Sequence, residues 1–142
     1  MYEAKPWLKS YTLGPFKLKK DIDVDDKPLY SLLDETADTF PTRDAYDYLG
    51  ARMKFRDLRD AVNRLANALS GLGVKKGDPV MTLLPTSPQF MISDFGILKT
   101  GGCLVPCSTY LAAEGLKHQA DESGAKIIIC RGQDLEKVLA VN

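Results

Sequence analysis

The sequence predicts an α/β fold, and three observations carry that prediction. Short, continuously apolar runs recur as "PVMTLLP", "CLVP" and "AKIIIC", each with the length of a buried strand. Helical patterns alternate with them, so that from residue 56 the order reads helix, strand, helix, strand, helix, strand, helix. The composition, 44% hydrophobic and 27% charged over 142 residues, is that of an ordinary globular domain with length enough for one core. Strands of this kind, joined through helices, form a mostly parallel sheet with right-handed crossovers covering both faces.

The elements follow in order. Residues 1–28 read as an irregular N-terminal arm punctuated by Pro6, Gly14, Pro15 and Pro28. Residues 29–54 form a lead-in of one helix and one hairpin. In "PLYSLLDETADTF", Leu29, Leu32, Leu33, Ala37 and Phe40 fall at helical spacing before Pro41. "AYDYLGARMKF" then reads as two short strands around Gly50. Residues 55–142 make the α/β portion. Its first helix, "RDLRDAVNRLANALSGLG", aligns Leu58, Val62, Leu65, Ala66, Leu69 and Leu72 on one face, and Gly71 and Gly73 end it. "SPQFMISDFGILKTGG" begins with Ser87 as N-cap and Pro88 at the first helical position. Being apolar nearly all round, it reads as a helix covered on both sides. "AAEGLKHQADESG" and "QDLEKVLAV" supply the remaining helices.

Charge excludes some functions. Lys plus Arg and Asp plus Glu are equal at 19 each, so no net field draws nucleic acid or an anionic membrane. Residues 1–20 carry five lysines against one glutamate, and Asp21, Asp23, Asp25 and Asp26 follow. That run reads as solvated loop, since a calcium loop needs a Gly at its sharp turn and a closing bidentate Glu. No apolar run reaches the roughly 20 residues that span a bilayer. "MYEAKPWLK" lacks the apolar core of a secretion signal, and three cysteines is an odd number, so reduced thiols in a cytoplasmic protein are expected.

No motif in the chain carries chemistry by itself. In "LKTGGCLVPCSTYL", Gly101 and Gly102 follow a helix and precede a strand. A phosphate-binding glycine turn needs the reverse order, with helix-N-terminal amides facing the anion. These glycines are expected to cap a helix C-terminus, where the dipole is negative. Gly71, Gly73 and Gly77 in "GLGVKKGD" fail the same test. Cys103 and Cys107, on one side of an extended strand, stand about 13 Å apart, four steps of ~3.3 Å, too far for a disulfide. With Cys130 they are expected to be buried structural thiols. Ser87 and Ser108 lack a G-x-S-x-G elbow, and His118 reads as a helix-surface residue. The residues therefore predict no catalytic, cofactor-binding or metal-ligating side chain.

The pieces "F-x-x-L" at Phe55–Leu58, "RLANAL", "GVKKGD", "LLPTSPQF", "FGILKTGG" and "HQADESGAKIII", in this order, resemble the opening of the adenylate-forming AMP-dependent synthetases and ligases. "PWLKSY" at Pro6–Tyr11, "FGILKTG" and "LKHQADESGA" are most similar to long-chain fatty acyl-CoA ligases. The resemblance implies an incomplete part of the large N-terminal domain of an acyl-CoA synthetase. It also implies a reaction in two steps for the complete enzyme. A carboxylate attacks the α-phosphate of ATP to give an acyl-adenylate and pyrophosphate, and coenzyme A thiolate then displaces AMP. ATP, magnesium and coenzyme A are thus implied for the complete enzyme, with a fatty acid or other carboxylate as substrate. This chain has no Ser-Gly-Thr-Thr-Gly-like phosphate loop, no aromatic-Gly-x-Thr-Glu motif and no C-terminal lid lysine, so it is expected to bind none of them and to be inactive alone.

It departs from the family pattern at Pro85-Thr86, Ser108-Thr109, Gly115 and Lys54, the last two where a helix-starting Glu and a capping Thr are usual. The aromatic arm, Trp7 and Tyr11, is expected to anchor on its own domain, with docking on a second subunit as the other option. The alternative function is a non-catalytic module or split-ligase subunit, acting through self-association or a partner chain. A stand-alone dinucleotide-dependent oxidoreductase is the least favoured reading. The sheet is expected to show an unpaired edge and exposed apolar surface after residue 130.

Overall fold

The computed structural model describes residues 5–12 and 24–141. Gly14, Pro15, Asp21 and Asp23 lie outside the described residues, and with them half of the acidic run. The arm is not irregular throughout: Pro6–Thr12 winds into a 3-10 helix. After it come α1 (Leu29–Thr39), the strands β1 (Asp44–Tyr48) and β2 (Ala51–Lys54), and α2 (Phe55–Gly71). There follow β3 (Pro79–Leu83), α3 (Pro88–Lys99), β4 (Cys103–Pro106), α4 (Ala113–Ser123) and β5 (Ile127–Cys130). The expected final helix is shorter, a 3-10 turn over Gly132–Asp134 running into α5 (Leu135–Leu139).

β3, β4 and β5 form a parallel sheet in the order β4-β3-β5, and β1 and β2 form a separate antiparallel hairpin. Side chains on successive strand residues point to opposite faces, and two apolar layers result. On one face Val80, Leu104, Ile127 and Ile129 pack with Leu69 and Val74 and with Ile97 of α3. On the other Met81, Leu83, Val105, Ile128 and Cys130 pack with Leu116 of α4 and Val138 of α5. A third cluster joins Leu33 of α1, Leu58 and Val62 of α2, the hairpin, and Met91, Ile92 and Phe95 of α3. Each fully buried leucine among these contributes roughly 1.5–3 kcal/mol of transfer free energy.

The helix ends explain the glycines. Past α2, the Gly73 amide donates to Ser70 O (3.0 Å) and the Val74 amide to Leu69 O (3.0 Å), while Gly73 takes φ +93°. Past α3, the Gly101 amide donates to Leu98 O (3.0 Å) and the Gly102 amide to Ile97 O (3.2 Å), with Gly101 at φ +80°. Both are Schellman closures, which require a left-handed residue and use the last helical carbonyls. The apolar contact such closures favour is present at Leu69 and Val74.

Some expectations for the helical faces need correction. Leu72 lies past the last turn of α2 and is 72% exposed. In α1 the buried stripe narrows to Leu33 and Ala37, leaving Leu29 and Leu32 more than half exposed. Of α1's apolar residues, Leu33 packs into the cluster formed with α2, the hairpin and α3, and nothing covers Leu29 and Leu32 to the same extent. Lys54 begins α2 without a side-chain cap, but its ammonium donates to Thr42 O (2.8 Å) and lies 3.6 Å from Asp44. The departure from Thr is therefore put to use in holding the hairpin to its neighbouring loop.

Candidate functional site

In parallel α/β sheets ligands bind beyond the carboxyl ends of the strands, where adjacent connections leave toward opposite faces. β3 is that strand here, because α3 covers one face and α4 the other. Beyond the ends of β3 and β5 lies a crevice of about 640 Å³. Leu84 and Pro85 reach it from the end of β3, Ser87, Gln89, Ile92 and Ser93 from the start of α3, and Ile129, Cys130 and Arg131 from the end of β5. Leu65 of α2 forms its floor and Tyr48 of the hairpin its far wall.

The local sequence builds each wall. Ser87 accepts the Phe90 amide on its side-chain oxygen (3.3 Å) and Pro88 occupies the first helical position, as expected. Proline has no amide, Phe90 is capped by Ser87, and the Met91 amide donates to Ser87 O (3.2 Å), so the first turn of α3 offers few free donors. On the opposite wall, Arg131 Nε donates to Asp134 Oδ2 (2.6 Å), with Lys137 Nζ 3.9 Å from the other carboxylate oxygen. The Arg131 hydrogen bond, aided by both positive charges, holds the buried Asp134 carboxyl below the usual range, and the same bond raises Arg131. Lys137 Nζ also donates to Thr109 O (3.0 Å), tying α5 to the loop after β4.

This arrangement favours an apolar occupant. The Arg131 charge is balanced by the buried Asp134 carboxylate, and most of the remaining lining is apolar. Burial, followed by the Asp134 charge, pushes the Cys130 thiol up, which keeps it protonated at neutral pH and a poor nucleophile. Among the described residues, no group of three or more His, Cys, Asp or Glu side chains could hold a metal ion. A triphosphate does not fit the glycine turns either, since Gly73 and Gly101 stand at helix ends rich in carbonyl oxygens.

The residues singled out in the sequence do not converge. His118 is exposed on α4, and Ser108 is exposed with its Oγ accepting the Tyr110 amide (3.3 Å). Cys103 is exposed, contrary to the expectation of a buried thiol; it is the first residue of β4, an outer strand of the described sheet. Cys107 is buried and Cys130 half-buried, and all three are free thiols. Trp7 of the arm is 43% exposed. Sequence reasoning missed Arg131, Gln89 and Tyr48 as crevice residues. The position of Arg131 directly after a buried strand was a usable signal, whereas nothing local marks Tyr48. Half-buried on α3, Asp94 has its carboxyl pushed up to about 6 by desolvation, and its Oδ1 is buried without a hydrogen-bond partner. No helix among the described residues is long and apolar enough to cross a membrane.

Comparison with known proteins places this geometry. Residues 33–142 match the family model described as AMP-binding enzyme. The long-chain-fatty-acid–CoA ligase of Bacillus subtilis (strain 168) is 32% identical over 129 residues, covering 91% of this chain and 22% of the relative. The phosphinothricin tripeptide synthetase PhsC of Streptomyces viridochromogenes is 31% identical over 103 residues, 72% of this chain and 10% of that protein. Among solved structures, the Mycobacterium tuberculosis fatty acyl CoA synthetase superimposes with a TM-score of 0.76 at 31% identity, covering 83% of this chain and 24% of its own. The chain thus spans less than a quarter of the length of these relatives. With three quarters of its residues inside the family match and the parallel α/β fold in common, the chain belongs to the family of AMP-binding enzymes.

Proposed function

We propose that this chain supplies the opening α/β portion of an ATP-dependent fatty acyl-CoA ligase, with residues 55–142 as part of its AMP-binding domain. In the complete enzyme a carboxylate oxygen bonds to the α-phosphorus of ATP while pyrophosphate leaves. The coenzyme A thiolate then bonds to the acyl carbon while AMP leaves. The second step is feasible because AMP is a far better leaving group than oxide. The chain's own contribution is scaffold: β3 and α3 position the crevice, and the Arg131–Asp134 pair fixes the end of β5.

One observation carries the acyl-CoA reading over peptide-synthetase adenylation. Similarity to the Bacillus subtilis ligase extends over 91% of this chain, against 72% for the peptide synthetase. The test is ATP–pyrophosphate exchange by a polypeptide in which this chain is followed by the unmatched C-terminal remainder of the Bacillus subtilis ligase. Fatty acids are expected to drive exchange and to yield a coenzyme A thioester, and amino acids are not. A chimera that melts cooperatively yet supports no fatty-acid-driven exchange would overturn the assignment.

A further inference from the structure

Leu49 is the least explained residue of the hairpin. It stands at φ +53° in the turn between β1 and β2, a conformation that suits Gly, Asn or Asp and strains a leucine. It is also 91% exposed, so its own chain gives it almost nothing to pack on. Strain that no contact within the fold offsets points to a contact outside it. The residue before it, Tyr48, is the far wall of the apolar crevice. A protruding leucine and an apolar hollow therefore lie side by side on one face, joined by Tyr48. Leu49 does not fill the hollow of its own chain, because the turn directs it into solvent.

We infer that this face is a self-association surface, on which Leu49 of each copy seats in the crevice of the other. A two-fold axis makes such a contact isologous, each copy giving one leucine and receiving one. Any other partner must present both a hollow for Leu49 and an apolar group for the crevice, whereas a second copy already presents both. Charge agrees with that occupant. Asp47, two residues before Leu49, is half exposed and shares Arg52 with Asp44. On the crevice rim Arg131 gives Nε to Asp134, and Lys137 lies by the same carboxylate, so two cations there meet one anion. Seating Leu49 brings Asp47 toward the partner's Arg131, once in each direction. Equal totals of 19 acidic and 19 basic residues add no long-range repulsion between copies. An interface of this extent falls under ~1,200 Å² in total, which makes the association weak and reversible. The inference uses this chain's own residues and stands whether or not the ligase reading does.

Sedimentation equilibrium of the 142-residue chain tests this. The mass is expected to rise reversibly from 15.7 kDa toward twice that value as the protein approaches roughly 0.1 mM. Leu49→Asn removes the protruding group, and Gln89→Trp fills the crevice mouth. Both positions are exposed, so neither change threatens the fold. Each variant is expected to raise the dissociation constant at least about tenfold, and Leu49→Asn to do so while raising the denaturation midpoint. A leucine with a purely structural role would not give weaker association together with higher stability. A chain that stays monomeric at that concentration overturns the inference and leaves the crevice to another occupant. An association that neither variant weakens overturns it as well. So does one that only a single variant weakens, since the leucine and the crevice would then not be partners.

Discussion

Leu65 of α2 and Gly96 of α3 meet where the two helices cross: a β-carbon added at Gly96 would stand 2.9 Å from Leu65 Cδ2 and 3.1 Å from its Cγ. That close approach lets α2 and α3 share one layer over the sheet, and it sets Leu65 in the floor of the crevice. Replacing Gly96 with valine is expected to destabilise the fold by about 1–3 kcal/mol, the usual cost of overpacking, despite valine's better helix propensity. Chemical denaturation checks this. Adding Leu65→Ala to Gly96→Val should recover part of the loss, and a loss unaffected by Leu65→Ala would show that the clash lies elsewhere.

The hairpin turn carries a strain that a different residue would relieve. Leu49 and Gly50 both have positive φ, +53° and +82°, as a two-residue turn of the tightest kind demands. Glycine tolerates this freely, but leucine does not, and the Leu49 side chain is 91% exposed, so no packing offsets the cost. Leu49→Asn is expected to stabilise the protein by about 1 kcal/mol, since asparagine visits the left-handed region more readily. An unchanged or lowered denaturation midpoint would contradict this account of the turn.

Asp94 makes stability depend on pH. Desolvation raises its carboxyl from an ordinary value of 3.8 to about 6 in the folded chain, so the folded state binds a proton more tightly than the unfolded one. Stability from this group is fully present below the unfolded value and is lost as pH rises through about 6. The melting temperature of the wild type minus that of Asp94→Asn should therefore become more negative between pH 5 and pH 7. A difference that stays flat over that range would mean the carboxylate finds a partner in solution.

The three thiols should separate by reactivity. Cys103 is exposed, whereas burial covers Cys107 and pushes its thiol up, and Cys130 is half-buried and raised as well. Because the thiolate is the reacting species, a brief alkylation of the native protein followed by mass spectrometry should modify Cys103 first. Modification of Cys107 at a comparable rate would show that the layer under α4 opens readily.

The order of elements was legible because periodicity reports burial on an element's own faces. Val80, Met81 and Leu83 read as a buried strand, and Ser87-Pro88 as a helix start, from sequence alone. Gly73 and Gly101 were legible as helix ends for the same local reason. Exposure of Leu29, Leu32 and Leu72 was not, since it depends on how wide a neighbour covers each helix. Nor was the exposure of Cys103, which depends on the outer position of β4 in the strand order. The crevice was least legible. Tyr48, Leu65, Ser87 and Arg131 come from four separate segments: the β3–β5 pairing brings Ser87 and Arg131 together, and packing of α2 and the hairpin adds Leu65 and Tyr48.

Titration of magnesium-ATP into the 142-residue chain by calorimetry tests the central claim most directly. The account predicts no binding heat beyond dilution, because the glycine turns close helix C-termini instead of opening helix N-termini, and the sequence holds no Ser/Thr/Gly-rich phosphate loop. Saturable binding of one nucleotide per chain would contradict it.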